Sequence, residues 1–468
     1  MKRTALKKLA EWYEREERKP LVIWGARQVG KTYLLKDMFV RQYCKDHVYI
    51  DLKRDDETRN YFRTTVDPSK YLNYIEAKWN KKISRDCPLI IDEIQTCPNV
   101  LTSLKYFCQD YSDLPVIVTG SLVRTTLQLE GDADILYPVG KIESLNLYPL
   151  NFEEFLLNTN EKMLELIKEA YHSRSPLDQG IHQLALEMFY EYLSIGGMPE
   201  SLNRYIETGS YVEAERIIEE IYDNYVADMA SYARSNEQIL KNRKIYQNIF
   251  SQLNKENKNF KISQIEKGRS NRDYFSAYEW LALSRVVYRS ENKTGKVTVP
   301  FITDESNLFR LYLADESMFV YQSKIRRSDF LADDSRNTLS GIFYENYVAT
   351  ELTARGIPLF YWTGGRSYEF EFIVQNGGLA LPIDVKRGSG KLNSLIAFRN
   401  NNPKSTAIKI SANNYGYNEE IIADTKIAND IFLRLRGTNN LVFTNRREDC
   451  ERFSSLLNDK CSEAHVPN

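Results

Sequence analysis

Residues 21–32 read Leu21-Val22-Ile23-Trp24-Gly25-Ala26-Arg27-Gln28-Val29-Gly30-Lys31-Thr32. The first four are apolar, which predicts a short buried strand. The other eight have the glycine and lysine spacing of a phosphate-binding loop, and a helical pattern begins at Tyr33. A glycine turn can match this spacing by chance, but a strand before the loop and a helix after it argue against chance. The segment therefore predicts a nucleotide-binding α/β domain.

The residue types in this loop suit the binding of a triphosphate. Gly25 and Gly30 let the backbone turn sharply, so that successive N–H groups point at one anion. The following helix adds the positive end of its dipole. Lys31 can reach the β- and γ-phosphates, and Thr32 offers a hydroxyl to Mg²⁺. We predict that ATP is bound, with Mg²⁺, by Gly25, Ala26, Arg27, Gln28, Val29, Gly30, Lys31, Thr32 and Tyr33.

A second apolar run, at residues 88–91, ends in Asp92 and Glu93. In a parallel sheet the carboxyl ends of the strands face the ligand. We expect Asp92 to hold Mg²⁺, directly or through water, and Glu93 to act as the general base towards the attacking water. An acidic pair that begins a helix is the alternative interpretation.

A third apolar run, at residues 115–118, ends in Thr119-Gly120-Ser121. A hydroxyl here could orient water between Glu93 and the γ-phosphate. We predict Ser121 for this role, with Thr119 as the alternative, and a turn with a helix cap is the competing interpretation. Together with an apolar strand at residues 48–52, the order of elements predicts a doubly wound α/β fold.

These motifs resemble the AAA+-like ATPases of bacteria and archaea that carry a C-terminal domain of unassigned function. That family combines a GxRxxGKT loop, a strand ending in Asp-Glu-Ile/Val-Gln, and Thr-Gly-Ser. Further matching segments lie at residues 147–155, 196–200, 341–346 and 383–386. The resemblance implies an ATPase core at residues 1–150 and a helical lid over the nucleotide at residues 151–235.

One position departs from the family pattern. Gly140-Lys141 stands where family members usually carry Gly-Arg. Lysine keeps the charge but lacks the planar fork of an arginine finger. We therefore expect weak activity or the use of another arginine, for which Arg124 is a candidate.

Residues 236–300 predict a winged helix, because three helical segments are followed by a strand near residues 286–289. Five basic residues lie near its turn and third helix: Lys258, Lys261, Lys267, Arg269 and Arg272. We predict contact with DNA phosphates, and a solvated basic face on a domain that packs internally is the alternative.

The C-terminal segment, residues 301–468, predicts a restriction-endonuclease-like α/β domain. Strands are expected at residues 359–362, 369–374 and 380–386, with Glu369 and Glu371 on one face because side chains alternate along a strand. Glu371, Asp384 and Lys386 have the spacing of PD-(D/E)xK nucleases. Glu371 and Asp384 would bind a metal ion, Lys386 would help to activate water, and Glu345 could add a ligand. A salt bridge between Asp384 and Lys386 without catalysis is the alternative.

The composition limits the class of protein. The chain has 63 basic and 64 acidic residues among 468, which excludes a globally basic nucleic-acid binder but not a local basic face. Neither a secretory signal nor an apolar run of membrane-spanning length is present. The six cysteines lack CxxC spacing, so we expect neither a zinc site nor a disulfide framework. We expect a cytoplasmic protein.

Three functions fit these observations. The leading one is an ATPase that acts on nucleic acid. The second is a metal-dependent nuclease gated by ATP, and the third is a nucleotide-dependent switch that binds a partner protein. The sequence leaves the oligomeric state open.

Overall fold

The computed structural model describes residues 1–120, 138–173, 175–229, 235–301, 308–325, 333–364, 368–376, 378–386, 393–402, 405, 407–414 and 442–443. The chain forms two compact units. The first comprises Met1–Leu150, Gly197–Lys244 and Arg272–Val286. The second comprises Asn151–Gly196, Ile245–Asn271 and Val287–Asn468. Among the described residues, no helix is long and apolar enough to cross a membrane.

The first unit is built on a parallel five-stranded sheet. Its strands are β1 (Leu21–Trp24), β2 (Val48–Asp51), β3 (Leu89–Asp92), β4 (Val116–Gly120) and β5 (Glu143–Asn146). They are arranged in the order β2-β3-β4-β1-β5, and every pair is parallel. β1, β3 and β4 are buried along their whole length, as expected for strands covered on both faces. The predicted α/β fold is thus confirmed for this unit.

Helices connect these strands and cover the sheet. They are α1 (Ala5–Glu14), α2 (Lys31–Tyr33), α3 (Val40–Tyr43), α4 (Asp56–Phe62), α5 (Pro68–Trp79) and α6 (Pro98–Asp110). A π-helical turn, Leu34–Phe39, joins α2 to α3. One face of the sheet packs its apolar side chains, among them Val22, Ile91 and Val118, against Phe62 of α4 and Leu104 of α6. This core holds the strand ends that carry the candidate site.

The chain leaves the first unit after Leu150 and returns to it at Gly197. These residues touch, because the Leu150 N–H donates to the Gly197 carbonyl over 2.7 Å. A Cβ atom on Gly197 would lie 2.1 Å from the Leu150 carbonyl oxygen, so only glycine fits there. The segment predicted as one helical lid, residues 151–235, is therefore shared between the two units.

Two of the returning helices matter for the site. They are α10 (Pro199–Thr208) and α11 (Tyr211–Asp228). Gly209, in a left-handed conformation, ends α10, and the Ser210 side chain caps α11 by accepting from the Glu213 N–H. The part of the segment that belongs to the second unit contains α7 (Phe152–Thr159), α8 (Glu161–Ser173) and α9 (Gln179–Ile195).

The winged helix predicted for residues 236–300 is not confirmed. Its helices form as α12 (Asn236–Tyr246), α13 (Ile249–Leu253) and α14 (Phe275–Leu283), and its strand forms as β6 (Val287–Thr294). However, the boundaries of the compact units, at Lys244 and Arg272, fall within this segment. Both edges of β6 are also occupied, one by β7 and the other by β8. β6 is thus an inner strand of a larger sheet and not the wing of a small domain.

In its described part, the second unit contains two four-stranded sheets, in the orders β7-β6-β8-β9 and β10-β11-β12-β13. The remaining strands are β7 (Phe309–Leu313), β8 (Phe360–Gly364), β9 (Tyr368–Phe370), β10 (Phe372–Asn376), β11 (Leu379–Val385), β12 (Ile408–Ile410) and β13 (Val442–Phe443). Its described residues also form the helices α15 (Glu316–Ser323), α16 (Asp333–Ala354) and α17 (Asn393–Asn401). Trp362, Phe370 and Phe398 form part of the apolar core.

The strand predicted at residues 369–374 is wrong in one respect. The chain bends at Glu371, so that β9 ends before it and β10 begins after it, in different sheets. Glu369 and Glu371 therefore do not share a strand face. The Glu369 side chain is 43% exposed whereas that of Glu371 is 4% exposed. The bend turns Glu371 inward, where the Val385 N–H donates to its carboxylate.

Candidate functional site

The loop after β1 has the backbone geometry of an anion-binding turn. Gln28 and Gly30 have φ angles of 62° and 89°, so left-handed residues alternate with ordinary ones. Such alternation points successive N–H groups into one concavity. At Gly25, a Cβ atom would lie 2.5 Å from the Leu147 carbonyl oxygen, which excludes any side chain. Both glycines of the predicted motif are thus required by the geometry.

A cavity of about 490 Å³ opens beside this loop, within the first unit. It is lined by the loop, the start of α2, Glu93 after β3, α10, α11 and Met1. The lining residues are Met1, Arg27, Gln28, Gly30, Lys31, Thr32, Tyr33, Glu93, Pro199, Glu200, Asn203, Arg204, Glu207 and Ile217. Its size is that of a typical small-ligand site.

Lys31 lies folded over the loop. Its ammonium donates to the carbonyl oxygens of Gly25 and Ala26 over 3.0 and 2.8 Å. Burial lowers the pKa of Lys31 to about 8, although the carboxylates of Glu93 and Asp92 act in the opposite direction. Lys31 is thus a desolvated amine beside the anion-binding turn. A phosphate bound there would favour its protonated form.

Thr32, in the first turn of α2, contacts Asp92 at the carboxyl end of β3. The Thr32 hydroxyl donates to Asp92 Oδ2 over 2.8 Å, and the Tyr49 hydroxyl donates to the same oxygen over 2.7 Å. Asp92 Oδ1 accepts from the Glu93 N–H. A hydroxyl beside a carboxylate is a donor set that fits Mg²⁺, which usually keeps several waters and takes few protein ligands. Nothing in the sequence singled out Tyr49.

Glu93 faces the cavity from a strained backbone. Its φ of 59° places a residue with a side chain in the left-handed region, which costs about 1–3 kcal/mol and recurs at functional sites. The Thr96 N–H donates to the Glu93 carbonyl over 3.0 Å and fixes this turn. The Gln95 amide donates to Glu93 Oε2. Gln95 therefore orients the Glu93 carboxylate, a role that the sequence motif alone did not predict.

The hydroxyl at the end of β4 is buried. Thr119 has no exposed surface, and its Oγ1 has no hydrogen-bond partner among the described residues. β4 lies between β1 and β3, and Thr119 and Asp92 each follow the Ile91–Val118 pair by one residue. Ser121, the residue predicted first for this role, and Arg124 lie outside the described residues.

The arginines that line the cavity are not those that the sequence suggested. Among the described lining residues they are Arg27 and Arg204, and Lys141 is not one of them. Arg204 lies on α10 with Glu200 and Glu207. Sequence reasoning missed Arg204 because it lies far from the loop along the chain and belongs to no local motif.

Comparisons with known proteins agree with this geometry. Residues 17–156 match a family model described as an AAA domain. This segment contains the loop, the acidic strand β3 and the whole five-stranded sheet. Residues 186–329 match a model described as a domain of unknown function (DUF8612). Neither segment reaches Glu345, Glu371, Asp384 or Lys386, so the nuclease-like domain is not confirmed.

The solved structures that resemble the chain do so loosely. The Cdc6p protein of Pyrobaculum aerophilum is 12% identical with a TM-score of 0.24, over 71% of this chain and 94% of that one. The ORC2 protein of Aeropyrum pernix, in ADPNP–ADP complexes, is 12% identical with a TM-score of 0.31, over 72% and 93%. Drosophila ORC bound to DNA is 14% identical with a TM-score of 0.25, over 69% and 95%. At these scores the likeness supports no functional inference. The comparison with curated proteins found no match.

In the second unit, the three residues predicted as a nuclease site come together. Lys386 Nζ donates to Glu371 Oε1 over 3.0 Å and lies 2.9 Å from Asp384 Oδ1, as an ion pair without hydrogen-bond geometry. Burial acts to raise the pKa of Glu371, but Lys258 and Lys386 lower it overall. Burial and the neighbouring Glu371 raise the pKa of Asp384.

Two further cations complete this cluster. Lys258 Nζ lies 2.5 Å from Glu345 Oε2 and 3.5 Å from Glu371 Oε1. Arg310 Nη1 and the Tyr312 hydroxyl donate to Glu345 Oε1 over 3.2 and 2.7 Å. The prediction that Lys258 contacts DNA is thus wrong, because its side chain is only 18% exposed and is held by carboxylates.

The charges of this cluster balance without a metal ion. Its buried carboxylates are those of Glu345, Glu371 and Asp384, and the cations that hold them are Lys258, Arg310 and Lys386. At its edge, the 43% exposed Glu369 also pairs with Arg310, and Lys409 lies opposite Asp384 on β12. The Lys386 ammonium lies between Glu371 and Asp384, where the predicted metal would bind, and the Lys258 ammonium lies between Glu371 and Glu345. The cluster as arranged does not fit a divalent metal, and metal-dependent cleavage stays a prediction that its geometry does not favour.

We predict that Lys258→Met destabilises the second unit strongly, by about 3–5 kcal/mol, because it leaves two buried carboxylates with too little compensating charge. Lys255→Met, on the same loop but exposed, should have little effect. Glu345→Gln added to Lys258→Met should restore part of the loss. Thermal and denaturant unfolding of the full chain measure these changes.

The same measurements test for a metal. The unfolding midpoint of the wild type should be the same in EDTA as in Mn²⁺. A Mn²⁺-dependent rise that disappears in Asp384→Ala would show that the cluster binds a metal after all.

Proposed function

We propose that the chain binds ATP with Mg²⁺ at the loop formed by residues 25–32 and hydrolyses it. The observation that supports this most is that the anion-binding turn, Lys31 and Glu93 line one cavity, with Asp92 hydrogen-bonded to Thr32 at its edge. A phosphate site, a metal-competent donor pair and a carboxylate suited to accept a proton are what triphosphate hydrolysis needs.

The proposed chemistry assigns each group one task. The N–H groups around Val29 and Gly30 bind the phosphates, and Lys31 exchanges the carbonyls of its own loop for phosphate oxygens. Thr32 and Asp92 would hold Mg²⁺, which offsets phosphate charge when bound. Glu93 accepts a proton from water as the water oxygen bonds to the γ-phosphorus. The bond from that phosphorus to the bridging oxygen breaks, and ADP leaves with the electron pair.

We predict that Glu93→Gln abolishes ATP turnover and leaves ATP bound, because glutamine keeps the shape of the side chain but cannot take up the proton. Lys31→Ala should remove ATP binding itself. Glu207→Gln is a matched control, since Glu207 lines the same cavity from α10. Phosphate release measures turnover, and titration with a fluorescent ATP analogue measures affinity. Normal turnover by Glu93→Gln would contradict the assignment of the base.

We predict that Thr119→Val slows turnover about tenfold or more, if its hydroxyl orients the attacking water, with little change in KM. The same change should not lower stability, because the hydroxyl has no partner to lose. Ser121→Ala provides the comparison. A rate lost only in Ser121→Ala would transfer the role to Ser121, whereas a melting point lowered by Thr119→Val would indicate a structural hydroxyl.

We further propose that ATP turnover responds to nucleic acid. The supporting observation is that Lys267 and Arg269 are exposed and lie close together in the second unit. Single- and double-stranded DNA and RNA should be tested for stimulation of the ATPase rate. Replacing both residues by glutamate should weaken binding and lower its salt slope by about 1 per lost phosphate contact. Lys162→Glu, at another exposed basic position, is the control.

Other outcomes of this test are informative. Equal rates with and without every nucleic acid would contradict the nucleic-acid proposal. Tight ATP binding with negligible turnover would favour the nucleotide-dependent switch that captures a partner protein.

A further inference from the structure

We propose that Arg27 distinguishes ATP from ADP by binding the γ-phosphate, and that Asp228 holds the Arg27 guanidinium when no γ-phosphate is present. This inference rests on the proposed function, because it assumes that the loop binds a nucleoside triphosphate. The role expected of an arginine at position 141, where this chain has Lys141, would then belong to an arginine of the loop itself.

The position of Arg27 supports this role. It lies within the phosphate-binding loop, so its backbone stays beside any bound phosphate. Arg27 lines the same cavity as Lys31, Thr32 and Glu93, and its side chain is 30% exposed. A guanidinium placed there is within the electrostatic reach of Lys31, whose pKa it helps to lower.

The last turn of α11 holds Arg27 at two points. The Tyr225 hydroxyl donates to the Arg27 carbonyl oxygen over 2.6 Å, and the Arg27 guanidinium forms an ion pair with Asp228. Tyr225 and Asp228 are three residues apart and therefore lie on one face of the helix. The backbone contact anchors the loop, whereas the ion pair involves a side chain that can move.

Asp228 is poorly placed without this partner. It is the last residue of α11, and a carboxylate at the carboxyl end of a helix faces the negative end of the helix dipole. Its side chain is only 11% exposed, so solvent cannot replace the cation fully. The ion pair therefore gives Arg27 a defined resting position.

A γ-phosphate would compete with Asp228 for the guanidinium. A planar guanidinium binds a phosphate through two parallel N–H groups, and a terminal phosphate carries more charge and more acceptor oxygens than one carboxylate. ADP lacks the γ-phosphate, so Arg27 would stay paired with Asp228. Asp228 would then lose the Arg27 guanidinium with ATP and keep it with ADP.

The test compares the affinities of a non-hydrolysable ATP analogue and of ADP, both with Mg²⁺, for the full chain. Arg27→Ala should weaken the analogue about tenfold or more and change ADP by less than about twofold. Arg27→Lys should recover only part of the loss, because lysine lacks the fork. Asp228→Asn should strengthen the analogue and leave ADP unchanged, because it removes the competitor.

The double variant Arg27→Ala/Asp228→Asn gives the sharpest result. It should behave like Arg27→Ala alone, since the proposed competition of Asp228 with the γ-phosphate is for the Arg27 guanidinium. Arg216→Ala and Asp223→Asn, at an exposed arginine and an exposed aspartate of α11, are matched controls. Neither should change the ratio of the two affinities as Arg27→Ala does.

Three results would overturn the inference. The first is equal weakening of ADP and the analogue by Arg27→Ala, which would make Arg27 a residue that only shapes the loop. The second is an unchanged affinity for the analogue in Asp228→Asn. The third is an effect of Asp228→Asn that persists in the Arg27→Ala background. By contrast, a wild type that binds neither nucleotide would refute the proposed function, and the inference would fall with it.

Discussion

The carbonyl groups of the phosphate-binding loop must face away from the cavity if the N–H groups are to face into it. Each peptide unit is planar with its C=O and N–H on opposite sides, so fixing one fixes the other. The Lys31 ammonium donates hydrogen bonds to the carbonyl oxygens of Gly25 and Ala26. The Tyr225 hydroxyl donates to the Arg27 carbonyl, and the Arg3 guanidinium donates to the Val29 carbonyl. The loop is thus held by its own lysine, by the segment before α1 and by α11.

The path of the chain explains where a linear interpretation fails. The chain leaves the first unit at Leu150 and returns beside it at Gly197, and it crosses between the units again near Lys244 and Arg272. Patterns of helices and strands over consecutive residues carry no information about such crossings. For this reason the helices expected in a lid and in a winged helix form, while the compact units combine them differently.

Local patterns predicted the parallel sheet and the residues of the loop, because a strand, a glycine turn and a helix start are all set by near neighbours. Asp92 and Glu93 followed from the end of a buried strand. Tyr225 and Asp228 could not be predicted, since they lie 198 and 201 residues from Arg27. Lys258 looked like a surface cation because its role depends on Glu345, which is 87 residues away. The prediction that Glu369 and Glu371 share a strand face was wrong, because the chain bends at Glu371 and side chains do not alternate through a bend.

The neutral cluster of the second unit has a consequence for how that unit folds. Its six charged groups come from five separate parts of the chain, at residues 258, 310, 345, 371 and 384–386. None of them can leave water cheaply until its counter-charges arrive, because an unpaired ion in an apolar interior is strongly disfavoured. A partly folded form of the unit would contain such unpaired ions. We therefore expect these segments to fold cooperatively, and the unit to unfold in a single step.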